Sequence, residues 1–187
     1  APRGFSLIEL VIGMVILAVL LSIAVPAFSN WLRNARVRTA AESVQNGLQL
    51  ARAEAVRRNN AVRFSLVTTT DDACAPAVAG PSWVISMDDP AGKCATPASD
   101  TVDPRIIQSR NGAEGSSATT IAAGQSTFVF NSLGRVTPTP AGNVAIDISS
   151  PTAACMATGP VRCLRVVVSI GGQIRMCDPA LPIGDAQ

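Results

Sequence analysis

Twenty-one consecutive residues, Phe5 to Val25, are apolar or small except for a single carboxylate, Glu9. As a helix rising 1.5 Å per residue the run extends about 31 Å, enough to cross the hydrocarbon core of a bilayer. A secretory signal peptide would have a shorter apolar core ending at a small-x-small cleavage site. Here the run continues through Pro26, Ala27 and Phe28 into an arginine-bearing helical pattern. Arg3 ahead of the run assigns the N-terminus to the cytoplasmic side, although arginines at 33, 36 and 38 weaken that charge bias. A carboxylate inside a membrane segment is costly and has a partner or a function. A single-pass chain has no second helix of its own to supply one, so the natural partner of Glu9 is a cation on a neighbouring subunit.

The residues Gly4-Phe5-Ser6-Leu7-Ile8-Glu9-Leu10-Val11 resemble the processing site of type IV prepilins. The resemblance implies cleavage by a membrane prepilin peptidase after Gly4 and methylation of the new Phe5 amine. It also implies that Glu9 pairs with the N-terminal amine of an adjacent subunit during assembly. Residues 1–4 would be the remnant of a short leader, and residues 5–28 a transmembrane and filament-core helix. Pro26 stands where that family's helix proline stands. It removes one helical hydrogen bond and permits a kink or local melting.

Beyond the membrane the pattern turns amphipathic over residues 29–60. Val37, Ala40, Ala41, Val44, Leu48, Ala51 and Ala55 recur at three- and four-residue spacing, with Arg38, Glu42, Gln45, Gln49 and Arg52 opposite. An alanine-rich stripe suits close packing against a sheet. Glu54 and Arg58 stand four apart in the favourable order, and Asn59-Asn60 is a suitable stop. One helix of about 55 residues therefore joins membrane to head.

Residues 61–187 read as a β-rich head. Val62 to Val67, Ser82 to Met87, Arg105 to Gln108, Thr127 to Phe130, Val144 to Ile148 and Leu164 to Ser169 are short apolar or alternating runs separated by Gly, Pro, Asn and Asp. Gly171-Gly172 reads as a hairpin turn into Gln173 to Cys177. The expected class is α+β, a long helix packed on antiparallel sheet. Loops of roughly 68–81 and 88–104 each hold one cysteine, so Cys74–Cys94 is the preferred first bridge, stapling both. Two of Cys155, Cys163 and Cys177 form the second. The sequence leaves the choice open, with Cys163 and Cys177 the working pair.

Composition narrows the function classes. There is no histidine and no tyrosine, which removes the commonest general base and metal ligand. A Ser/His/Asp triad, a Cys/His pair and a histidine-based zinc site are excluded within this chain. No enzymatic activity, metal, cofactor or small-molecule ligand is expected. From Arg33 to Arg63 seven arginines face two glutamates, whereas from Ser65 onward seven basic residues face ten acidic ones. The stem is basic and the head slightly acidic.

Three further stretches resemble the FimU/FimT and GspH family of minor pilins. They are the alanine-rich helix around Ala51-Arg52-Ala53-Glu54-Ala55, the run Phe128 to Arg135, and Gly172-Gln173-Ile174-Arg175-Met176-Cys177. The resemblance implies the type IV pilin fold and a minor pilin that joins a tip or priming complex and promotes pilus assembly. Its implied partners are other minor pilins, the major pilin, the prepilin peptidase and, before assembly, the inner membrane. The implied location is the inner membrane with the head in the periplasm, then the extracellular pilus. A type II secretion pseudopilin is the second reading. A DNA-binding minor pilin is the third, with Arg135, Arg162, Arg165 and Arg175 as candidate contacts. The net acidic head and Gln173, where the DNA-binding branch carries an arginine, count against it.

Overall fold

A computed structural model of the chain describes residues 6–116, 118–152, 155 and 159–181. Gly4 and Phe5, expected to carry cleavage and methylation, lie outside the described residues, as does the 1–4 leader. Helix α1 spans Leu7–Arg58, 52 residues and about 78 Å long. It ends where asparagine allows it to: Asn59 takes a left-handed conformation (φ 49°, ψ 39°), and its N–H returns to the Ala55 and Val56 carbonyls.

Eight strands follow. They are β1 (Val62–Val67), β2 (Ser82–Ser86), β3 (Ile106–Arg110), β4 (Thr120–Ala123), β5 (Thr127–Phe130), β6 (Val144–Ser149), β7 (Leu164–Val168) and β8 (Ile174–Cys177). They form two antiparallel four-stranded sheets, ordered β3-β2-β1-β5 and β4-β6-β7-β8, where the sequence suggests a sheet without dividing it. Strand β4 is absent from the sequence-based set. It pairs with β6, while β5, next in the chain, crosses to pair with β1.

Both sheets contribute to one core against α1. All seven residues of the alanine-rich stripe are at most 2% exposed, packed with Phe64, Leu66, Phe128 and Phe130 from the first sheet and Ile146, Ile148, Val166 and Val168 from the second. The helix approaches so closely that a Cβ on Gly47 would stand 2.7 Å from the Phe64 ring and 3.2 Å from Trp83. One turn earlier, the Trp83 indole N–H donates to Ser43 Oγ at 3.0 Å, satisfying a polar group that the core would otherwise strand.

Strand β2 is buried along its whole length. Trp83 and Ile85 face the helix, while Val84 belongs to a second cluster with Val67, Ile106 and the Cys74–Cys94 disulfide. The two linked loops thus cover the outer face of the first sheet. Arg105 donates twice to Asp88, both at 2.6 Å, pinning the second loop to its own strand. Arg58 reaches Asp100 and ties the same loop to the end of α1.

The second bridge joins Cys155 to Cys163, with Cα atoms 5.4 Å apart, and Cys177 is an exposed free thiol. This corrects the Cys163–Cys177 pairing, and the β7–β8 register supplies the reason. Cys177 lies opposite Arg165, two positions from residue 163 along the ladder. Such diagonal neighbours are about 7–8 Å apart, and a disulfide does not span Cα separations beyond about 7 Å.

Candidate assembly site

The start of α1 is a reciprocal capping box. Ser6 Oγ accepts from the Glu9 N–H at 3.3 Å, and the Ser6 N–H donates to Glu9 Oε2 at 2.8 Å. Two N-terminal donors that an apolar surrounding would leave unsatisfied are thereby paired within the chain. The Ser-x-x-Glu spacing carries this signal in the sequence, where it coincides with the charge that the prepilin resemblance assigns to assembly. Glu9 itself is exposed, with one carboxylate oxygen engaged by Ser6.

From Leu7 to Phe28 every residue is exposed, and the head covers none of them. This part of α1 meets the length and composition of a membrane span. The helix persists across Pro26. Proline offers no N–H to the Ser22 carbonyl, while the hydroxyls of Ser22 and Ser29 donate back to the Val19 and Pro26 carbonyls at 2.7 and 2.9 Å. Both hydroxyls are thereby paired within the helix on either side of the break, without reaching the Ser22 carbonyl itself.

Where stem meets head, Asn34 clamps the segment carrying the second disulfide. Its Nδ2 donates to the Pro160 carbonyl at 2.9 Å, and its Oδ1 accepts from the Arg162 N–H at 2.8 Å. No local pattern marks Asn34, because its partners lie more than 120 residues away.

The two head motifs that carry the family resemblance meet in space. Asn131 Oδ1 accepts from the Leu133 and Arg135 N–H groups and shapes a turn with Gly134 at φ +71°. The Gly134 carbonyl accepts from Arg52 Nε of α1 at 3.1 Å. Gly172, at φ +79° in the β7–β8 hairpin, lies directly on that turn, and any Cβ there would collide with the Gly134 carbonyl oxygen. Both glycines are required for conformation and for close approach. The motifs lock the last strand of each sheet onto the helix.

The four candidate DNA-contact arginines are not equivalent. Arg165 donates to both oxygens of Asp147 at 2.5 and 3.0 Å, directly across β6 and β7, and that carboxylate holds its guanidinium more firmly protonated. Arg162 pairs with Asp178 at 3.0 Å. Arg135 and Arg175 are exposed and have no acidic partner among the described residues. Two unpaired cations supply little of the phosphate neutralisation that DNA binding needs. Among the described residues no group of three or more His, Cys, Asp or Glu side chains is placed to hold a metal.

Comparison with known proteins agrees with this anatomy. The family model described as Type II transport protein GspH matches residues 40–172, and the prokaryotic N-terminal methylation motif matches residues 2–25. Two crystal structures of the type IV minor pilin FimU from Pseudomonas aeruginosa share the fold, with TM-scores of 0.53 and 0.54 at 17% identity. The matches cover 76% and 77% of this chain and 93% and 89% of those chains. No curated protein matches in sequence. The chain belongs to the GspH family, carries the prokaryotic N-terminal methylation motif, and is an α+β protein of type IV pilin-like fold whose long N-terminal helix packs on antiparallel sheets.

Proposed function

We propose that this chain is a minor subunit of a type IV pilus that enters the tip or priming complex and promotes filament assembly. The observation carrying this reading is the uncovered segment Leu7 to Phe28, an apolar helical surface that the head leaves bare. In the membrane, lipid solvates it; in a filament, the helices of neighbouring pilins replace the lipid. Prepilin peptidase would cleave between Gly4 and Phe5, the Phe5 amine would be methylated, and Glu9 would pair with a neighbouring N-terminal amine. Residues 5–28 would form the filament core, 29–60 the stem and 61–187 the exposed head.

The test is the number of surface pili on cells lacking the gene, with retraction blocked so that rare filaments accumulate. Sharp loss, restored by the wild-type gene and not by Glu9→Ala, is expected. Normal piliation in the deletion strain would sink the priming role. The match to the GspH model favours a second reading, a pseudopilin of type II secretion. In that case piliation stays normal and export of secreted enzymes fails.

A further inference from the structure

We propose that Phe28, Trp31, Arg33 and Arg36 form a collar that binds anionic phospholipid headgroups of the head-side leaflet and so sets the depth of α1. The proposal rests on reading Leu7 to Phe28 as the membrane span.

The Phe28 and Trp31 rings stack with centroids 5.7 Å apart, and both side chains are 63% exposed. They stand at the point where the apolar run ends. Among the described residues the Trp31 indole N–H has no protein acceptor, in contrast to Trp83, whose N–H is held by Ser43. An exposed aromatic with an apolar body and one unmet donor suits the bilayer interface, where one side is hydrocarbon and the other is wet.

The arginines complete the collar. No acidic residue occurs between Glu9 and Glu42. Arg38 is neutralised by Glu42 at 2.8 Å. Arg33 contacts only the neutral Asn30 Oδ1, and Arg36 has no hydrogen-bond or ion-pair partner among the described residues. Two uncompensated cations therefore follow the aromatic pair within about 8 Å along the axis. Arginine on the translocated side opposes insertion by charge. Anionic headgroups at that level offset the opposition, because basic residues beside a membrane surface are drawn to anionic lipid.

The spacing gives the collar its consequence. Glu9 and Trp31 are 22 residues apart, about 33 Å of helix, against a hydrocarbon thickness of about 30 Å. With Trp31 fixed at one interface, Glu9 arrives at the other rather than in the bilayer centre. There the carboxylate meets water and avoids most of the cost of burial in lipid.

The experiment places the full-length chain in phosphatidylcholine vesicles holding a trace of dansyl-labelled phosphatidylglycerol or dansyl-labelled phosphatidylcholine. Energy transfer from Trp31 is isolated by subtracting the Trp31→Phe variant, which retains Trp83. Transfer to the phosphatidylglycerol label should exceed the other by about two-fold or more at low salt. The excess should vanish at high salt and in Arg33→Gln/Arg36→Gln, with the near-ultraviolet dichroism of the head unchanged. Equal transfer to both labels, or an excess surviving in the double variant, overturns the collar; equal transfer would leave an acidic protein surface as the partner of the arginines. Retention through an alkaline carbonate wash reports separately on the span. Release in that wash would refute the span reading and the collar with it.

Discussion

The two halves of α1 invert the usual relation between hydrophobicity and burial. From Leu7 to Phe28 the helix is built mainly of large aliphatic residues and all of them are exposed; from Val37 to Ala55 its core-facing stripe is mainly alanine and valine, and that stripe is sealed. The lower half is complete only in a solvent of lipid or neighbouring helices, so large side chains maximise its contact with whatever surrounds it. The upper half has fixed neighbours, and small residues let two sheets approach the backbone. A hydrophobic stretch in one element therefore reports on its environment, and residue size distinguishes a moving partner from a permanent one.

The largest test of this division is a pair of truncations, one in each half. Phe64→Ala, in the upper-half core, should cost about 3–5 kcal/mol of head stability. Leu20→Ala, in the lower half, should shift it by less than about 0.5 kcal/mol. Denaturant unfolding in detergent, followed by Trp83 fluorescence in a Trp31→Phe background, reads both, and comparable losses would erase the distinction. Gly47→Val comes next, since the added carbons meet Phe64 and Trp83; overpacking of this kind costs about 1–3 kcal/mol. Wild-type stability in that variant would mean the helix does not need its close approach.

At the boundary between the halves, Asn34→Ala removes two hydrogen bonds to the 160–162 segment and should cost about 1–2 kcal/mol. Faster amide exchange at Arg162, with the β1 and β2 amides unchanged, is the expected signature; unchanged exchange at Arg162 would dismiss the clamp. The smallest effect is acid sensitivity confined to the upper half of α1 and the head packed on it. The hydrogen bond from Arg57, reinforced by Arg58, holds the Glu54 carboxyl below its ordinary range, and Arg105 does the same for Asp88. Depressed folded values mean stability is full above the unfolded carboxylate values, about 4, and is lost as pH falls through the folded ones. Solvent screening keeps this to a few degrees of melting temperature. Glu54→Gln and Asp88→Asn should flatten the acid limb of the curve, and an unaltered limb in both variants would count against these pairs.

What the sequence conveyed followed the range of the forces involved. The apolar run, the buried stripe and the stop at Asn59 are local patterns, and the structure reproduces each. Six strands announced themselves as short apolar or alternating runs, and β8 by the Gly171-Gly172 turn before it. Strand β4 did not, because Thr120-Ile121-Ala122-Ala123 buries only Ile121 and owes its extended form to pairing with β6. Division into two sheets depends on β5 crossing to β1, a choice made between distant segments. The second disulfide was obscured for a related reason: it follows from the β7–β8 register, which spacing alone does not fix. Glu9 stood out because a charge in an apolar run is conspicuous, whereas Asn34 and the Gly134–Gly172 contact acquire meaning only once remote segments are brought together.

The lengthwise burial of α1 has a mechanical consequence. A pull on the membrane end of the helix acts along its axis, parallel to a stripe that runs about 27 Å from Val37 to Ala55. Such a load shears the whole interface at once instead of peeling it residue by residue. The Asn34 clamp and the Arg58–Asp100 pair hold the two ends of the loaded stretch. Traction on a filament containing this subunit would thus be shared across the entire helix–sheet contact, making the head a grip rather than a hinge.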